Sequence, residues 1–243
     1  MLKNNIHQSV MGWCFKPMPA LELASLCQKL GMPAIEGVSP EFYPQILKMG
    51  LKVSLVSSHG FKKGFCDPRQ HEECLEILKK RIDLAKEIGT QNVITFTGML
   101  PKDIDHDSAT RNCIEGFKKI IGYAENQGIT LVLEHLNSRD DTHPMKGHPG
   151  YFGDDVDHVI SIIQQVGSPH LKLLFDIYHV QIMNGDVVRR IQQYHEYIGH
   201  YHTAGCPGRA ELDDTQEIQY PHIMKAILET GFQGYVAQEF IPT

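Results

Sequence analysis

Residues 171–203 read LKLLFDIYHVQIMNGDVVRRIQQYHEYIGHYHT. A short apolar run, Leu171–Asp176, leads into a helical pattern over roughly His179–Tyr194, and a second short run follows at Ile198–Thr203. Strand, helix and strand in that order make one βαβ unit, whose helical crossover forces its two strands to be parallel. Each run also ends on residues with chemistry, Asp176 in the first and His200 and His202 in the second.

The alternation continues in both directions. Upstream, strands are predicted at Ile6–Met11, Ala34–Val38, Leu51–Ser57, Asn92–Thr97 and Thr130–His135. Between them, apolar residues at helical spacing predict helices over Ala20–Leu30, Glu41–Met49, Gln70–Ile88, Ala109–Gln127 and Asp154–Val166. Gly31, Gly89, Gly128 and Gly167 stand where helices end. Downstream lie a helix, Pro221–Thr230, and a last strand, Tyr235–Phe240. Eight strands at roughly 30 residues per unit favour a single α/β domain over residues 1–243, a closed (β/α)8 TIM barrel with its active site at the C-terminal ends of the strands. No G-x-G-x-x-G follows the first strand, which weakens an open dinucleotide-binding sheet. The last strand has almost no chain after it. Either the final helix is missing or an earlier element covers its place.

Composition narrows the function. Of 243 residues, 42% are hydrophobic and 21% charged, ordinary globular usage. A net charge of −6 supplies no global basic field for nucleic acid or an anionic membrane. The six cysteines form no C-x-x-C pair and read as reduced thiols of a cytoplasmic protein. Met1–Val10 lacks the apolar stretch of a secretory signal, and no run approaches the length of a membrane span.

In a TIM barrel, the residues that close each strand face the active site. Here those are Glu134, Asp176, His202 and Glu239, on four successive strands. A carboxylate at the end of an apolar run is costly unless paired, hydrogen-bonded or bound to metal. Three carboxylates and one imidazole suit a single divalent ion, with Mn²⁺, Mg²⁺ or Co²⁺ favoured, and zinc tolerates the same donors. His59 after the third strand, His179 three residues beyond Asp176, and Arg209 in the loop after His202 are candidate substrate contacts. Trp13 and Phe15 are candidate pocket walls. The long loop Asn137–Phe152, with His143, Lys146 and His148, is a candidate lid. Cys206 has no base placed beside it in the sequence and reads as a bystander.

Five segments carry a family resemblance. They are Leu133-Glu134-His135-Leu136-Asn137, Phe175-Asp176-Ile177-Tyr178-His179, Gly199-His200-Tyr201-His202, Glu217-Ile218-Gln219-Tyr220 and Gln238-Glu239-Phe240. Over nearly the whole chain the sequence resembles the xylose isomerase-like TIM-barrel superfamily, and within it the hydroxypyruvate isomerases. The resemblance implies one divalent metal on Glu134, Asp176, His202 and Glu239, with Glu134 and Glu239 also the catalytic proton-transfer pair. It places Asn137, His179, Arg209 and Glu217 near the substrate or just behind the residues that touch it. The implied reaction is aldose–ketose isomerisation of a small hydroxy-carbonyl compound or sugar, with hydroxypyruvate to tartronate semialdehyde leading. The best-known hydroxypyruvate isomerases carry Gln where this chain has His202, whereas His is usual in sugar epimerases of the superfamily. The loop 137–152 is also longer than in the nearest relatives. A ketose 3-epimerase is therefore the main alternative. An apurinic endonuclease-like enzyme or a non-catalytic sugar-binding barrel ranks behind it. The expected partner is a small molecule, not nucleic acid or membrane, with homo-oligomerisation left open.

Overall fold

Six strands hydrogen-bond side by side in the order β1-β8-β7-β6-β5-β4 in the computed structural model, which describes residues 6–243. They are β1 (His7–Val10), β4 (Asn92–Thr95), β5 (Thr130–Glu134), β6 (Leu171–Asp176), β7 (Ile198–Thr203) and β8 (Tyr235–Gln238). Two short strands, β2 (Ala34–Ile35) and β3 (Lys52–Val53), pair with each other. Parallel bridges Met11–Glu36 and Val56–Val93 join that pair to β1 and β4 and close the ring. Every strand pair is parallel, as the βαβ reading requires.

The helices are α1 (Ala20–Leu30), α2 (Tyr43–Lys48), α3 (His71–Ile88), α4 (His106–Gln127), α5 (Val156–Val166), α6 (Ile177–Met183), α7 (Val187–Tyr194) and α8 (Tyr220–Glu229). They pack on the outer faces of the strands, where Leu131, Leu133, Leu173, Phe175 and Tyr201 belong to the main buried core. The alternate residues Val132 and Leu174 face the barrel interior with Ile94 and Phe96 in a second cluster. This period of two sends Glu134, Asp176 and His202 inward as well.

Two expectations need correction. Residues 179–194 are not one helix: α6 and α7 are separated at Asn184-Gly185-Asp186, where Gly185 and Asp186 take φ values of 62° and 54°. Asn184 ties the break down, accepting from the Val156 amide and donating to Asp155. Asn-Gly-Asp is a turn signal that outweighs the helical spacing on either side. The strands expected at Ala34–Val38 and Leu51–Ser57 are much shorter. Gly37, at φ 64°, turns the chain out of the sheet where a Cβ would meet the Met11 sulfur at 2.0 Å. Among the described residues no helix follows β8, in keeping with the short stretch after the last strand. The tail folds back instead, with Phe240 edge-on to Phe15 and the Ile241 amide donating to the Arg209 carbonyl.

The loops at the C-terminal mouth interlock closely. A Cβ on Gly64 would lie 2.2 Å from the Thr97 carbonyl carbon and 2.3 Å from the Gly98 nitrogen, and backbone cannot yield. Gly64→Ala is therefore expected to cost about 3 kcal/mol, a fall in Tm of roughly 10 °C by calorimetry.

Candidate metal centre and active site

Strand register brings the acids together. Asp176 pairs with His202 across β6 and β7, and His202 pairs with Ala237 of β8. Glu239 follows directly, its amide donating to the Thr203 carbonyl at 2.9 Å. One ligand atom from each of Glu134, Asp176, His202 and Glu239 lies within 4.8 Å of the others, and all four residues are buried. The fold thus brings these four strand-end residues to one place.

Each is held from behind. Asp176 is the last residue of β6 and the N-cap of α6, so its Oδ1 accepts from the Tyr178 and His179 amides while Oδ2 turns to the centre. That is the local meaning of the segment Asp176-Ile177-Tyr178-His179. Glu239 accepts from Trp13 Nε1 on Oε1 and from Arg209 on Oε2. His202 offers Nε2 to Glu36 at 2.9 Å, leaving Nδ1 toward Glu134 Oε1 at 3.2 Å and Glu239 Oε2 at 2.7 Å. Neither of the Nδ1 contacts has hydrogen-bond geometry, and Glu134 Oε1 also lacks a partner.

These unpartnered donors fit a cation. Buried polar atoms are nearly always satisfied, so lone pairs converging from a carboxylate and an imidazole call for a positive group between them. Three buried carboxylates against the single Arg209 guanidinium leave two formal negative charges, which one divalent ion would balance. The electrostatics record the same strain. Burial pushes the Glu134 carboxyl up to about 7 against the pull of His202. Burial lifts Asp176 to about 6 although Arg209 opposes it. Burial would raise Glu239 too, but Arg209 and His202 outweigh it and hold it at about 2. At His202 burial is overcome by Glu239, Glu134 and Glu36, which draw it toward imidazolium. A proton on Nδ1 and a metal ion compete for one place.

Above the centre lies a cavity of about 220 Å³. Met11, Trp13, Phe61, Ile94, Phe96 and Leu136 give it apolar walls, while Ser57, Ser58, His148, Arg209, Glu134 and Glu239 supply polar groups. A wider depression of about 470 Å³ lies at the opposite mouth of the barrel near Lys52, Thr90, Lys172 and Tyr235, away from the clustered acids.

The expected substrate contacts divide. Arg209 is buried in the site at φ 55°, bonded to Asp176, Glu239 and the Met145 carbonyl, with its Nε unpartnered. Its guanidinium also lies over the rings of Trp13 and Tyr178. His179 is fully buried behind Asp176, its Nδ1 near the Asn137 amides and its Nε2 free, 3.6 Å from Asp176 Oδ2. Asn137 does not line the cavity. It holds the 137–152 loop through the Lys146 carbonyl and the Asp140 amide. His59 turns away to Thr95 and the Gly60 carbonyl, drawn into a cluster with Phe65 and Phe96. Glu217 is exposed and pairs with Gln181, because the loop after β7 enters the site only as far as Arg209. Phe15 packs on Phe240, outside the cavity. Cys206 is buried, and its thiol is pushed up to about 12 by burial and by Glu217, which removes it as a nucleophile.

Ser58 was not anticipated: its hydroxyl is buried at the cavity without a partner. A Ser57-Ser58 pair just after the third strand run was the available signal. His148 emerges from the candidate lid as a cavity residue, stacked on Phe61 at 4.1 Å. Burial, reinforced by Arg209, lowers its pKa to about 4. The packed loop therefore prefers neutral His148. Its stabilisation is complete above pH 6.5 and is lost as pH falls from 6.5 toward 4, where the open chain takes the proton first. The loss is expected to reach about 2 kcal/mol after allowance for the ring's face on the cavity. His148→Asn should flatten this dependence in denaturant titrations run across that range.

The profile of the family described as xylose isomerase-like TIM barrel matches residues 20–242. The chain belongs to that family. Among its curated relatives, 2-oxo-tetronate isomerase of Cupriavidus necator is 31% identical over 163 residues, covering 67% of this chain and 60% of that protein. Hydroxypyruvate isomerase of Escherichia coli is 27% identical over 177 residues, covering 73% of this chain and 66% of that one. The chain thus spans less than two thirds of either relative's length in these matches. Two solved structures share the fold. An AP endonuclease, family 2, from Brucella melitensis superposes with a TM-score of 0.81 at 22% identity, covering 98% of this chain and 93% of that chain. The IOLI protein, solved with a zinc atom, superposes at 0.75 and 18% identity, covering 98% and 90%. Among the described residues no helix is long and apolar enough to cross a membrane.

Proposed function

We propose that this chain is a divalent-metal-dependent isomerase acting on a small hydroxy-carbonyl acid, with hydroxypyruvate to tartronate semialdehyde as the leading reaction. The observation that carries the reading is the buried set Glu134, Asp176, His202 and Glu239, with two of its glutamates lining one small cavity. Isomerase names among the relatives support the reaction class. Mn²⁺, Mg²⁺ or Co²⁺ suits three carboxylates and an imidazole, and zinc, which the IOLI protein holds, suits them too. When bound, such an ion acts as a Lewis acid toward the negative charge that develops on substrate oxygens.

The chain's own residues do the rest. Glu134 and Glu239 reach the cavity from different strands, so one removes the proton from the hydroxymethyl carbon and the other delivers a proton to the former carbonyl carbon. Arg209 Nε and the Ser58 hydroxyl are buried and unpartnered, free to hold the substrate's carboxylate and hydroxyl oxygens. Trp13, Phe61 and Phe96 keep water from the enediolate. A cavity of about 220 Å³ is small for a ligand pocket, which favours a three- or four-carbon acid over a ketohexose.

His202, in place of the glutamine of the best-known hydroxypyruvate isomerases, supports a second reading. A ketose epimerase would use the same pair, returning the proton to the same carbon from the opposite face. A DNA-cleaving role is disfavoured by the net charge of −6 and by the narrow, walled cavity.

The test is a substrate panel of hydroxypyruvate, a tetrulose and a ketohexose with Mg²⁺-loaded protein in D₂O, followed by NMR. Conversion of hydroxypyruvate, with solvent deuterium at C2 of the product, is expected. Epimerised tetrulose or hexose with hydroxypyruvate untouched would select the second reading. No exchange on any member would overturn both.

A further inference from the structure

Behind the metal centre, a second buried group crosses the barrel interior. Glu36, just after β2, is 1% exposed and lines no cavity. Its carboxylate takes four contacts. Oε1 accepts from His202 Nε2 at 2.9 Å and from His200 Nε2 at 3.3 Å, while Oε2 accepts from the Ser54 hydroxyl at 2.5 Å and lies 3.0 Å from His200 Nε2. Ser54 in turn meets the Ser9 hydroxyl at 2.5 Å. The network joins inward-facing residues of four strand regions, β1, β2, β3 and β7. An ionised carboxylate this deep is expensive, and a purely structural barrel interior would be filled with apolar side chains, as it is on the β4–β6 side.

We infer that Glu36 is the positioning residue that fixes His202 as an Nδ1 metal ligand, with His200 and Ser54 locking the carboxylate's rotation. The inference rests on the metal reading of the site. A carboxylate only accepts, so His202 must carry its proton on Nε2 and present the Nδ1 lone pair to the centre. His200 stands two residues earlier on the same strand, its ring edge-on to that of His202 at 5.2 Å. Its Nε2 bonds the same oxygen as His202 and lies close to the other, while Ser54 holds Oε2. The ring's orientation is thereby set before any ion arrives, and a metal's affinity depends on such outer partners nearly as much as on the ligands themselves.

Two substitutions separate geometry from charge. Glu36→Gln keeps the length, but it removes the charge and sets an NH2 group where Oε2 accepts from Ser54 and faces the His200 Nε2–H. Glu36→Asp keeps the charge and is one methylene too short to reach His202. Metal-stripped protein is titrated with Mn²⁺ by calorimetry, with circular dichroism confirming the fold. Wild type is expected to bind one ion, and both variants are expected to bind it about 10- to 100-fold more weakly. Nitrogen NMR of Zn²⁺-loaded wild type needs no variant and is expected to show His202 protonated at Nε2 and ligated through Nδ1. Ligation through Nε2, or wild-type Mn²⁺ affinity in folded Glu36→Gln, would overturn this inference while leaving the metal site standing. A wild-type protein that takes up no Mn²⁺ would overturn the metal reading and this inference together.

Discussion

Glu239→Gln is expected to lower kcat by at least about 10³-fold while the barrel stays folded. The amide is isosteric but can neither take nor give the proton, and it withdraws one of the three negative charges around the proposed cation. The loss should exceed that of a simple base deletion, because Glu239 is also bonded through both of its oxygens. Trp13 donates to one of its oxygens, and the other serves Arg209 and faces His202. In the variant Arg209 keeps Asp176 and the Met145 carbonyl, so the contact with the 137–152 loop survives while the charge balance shifts. Glu134→Gln is expected to lose turnover by a similar factor with less effect on stability, since Glu134 Oε1 has no partner to lose. Rates measured by NMR, alongside thermal unfolding, distinguish the two. Normal turnover in Glu239→Gln would rule out a two-glutamate proton transfer.

Metal removal is expected to abolish activity and to soften the whole barrel. Without a cation, Glu134, Asp176 and Glu239 face one another around a single guanidinium, and burial already pushes two of them up to about 7 and about 6. An ion present at a thousand times its dissociation constant stabilises the native state by about 4 kcal/mol. For a chain of this size that is a rise in Tm of roughly 8–16 °C over chelator-treated protein. The stabilisation should weaken as pH falls, because protons and the ion compete for His202 Nδ1 and the carboxylates. Scanning calorimetry with and without chelator, then with Mn²⁺ restored, reads both effects. Full activity in metal-free protein would contradict the account.

How much of this could be read from residues alone follows from where the constraints are local. The late strands β5–β8 are apolar runs that stop at an acid or histidine, and a period of two then fixes which residues face inward. Glu134, Asp176, His202 and Glu239 were legible for that reason. α1 was legible to the residue because Gly31 ends it. The misses lie where tertiary contacts decide. His59 and Glu217 sit in loops, and no sequence spacing says that one would turn to Thr95 and the other to Gln181. Helical periodicity on both sides of Asn184-Gly185-Asp186 hid a break that the turn residues announce. Glu36 carries no signal of its own, since its strand is two residues long and its partners are 164 and 166 residues away.

One divalent ion is proposed to sit among Glu134, Asp176, His202 and Glu239. Anomalous diffraction from a crystal soaked in Mn²⁺ tests it directly. The account predicts a single strong peak bounded by Glu134, Asp176, His202 Nδ1 and Glu239, with Arg209 beside it. A site left empty at saturating Mn²⁺, or a peak that omits His202 and Glu239, would contradict it.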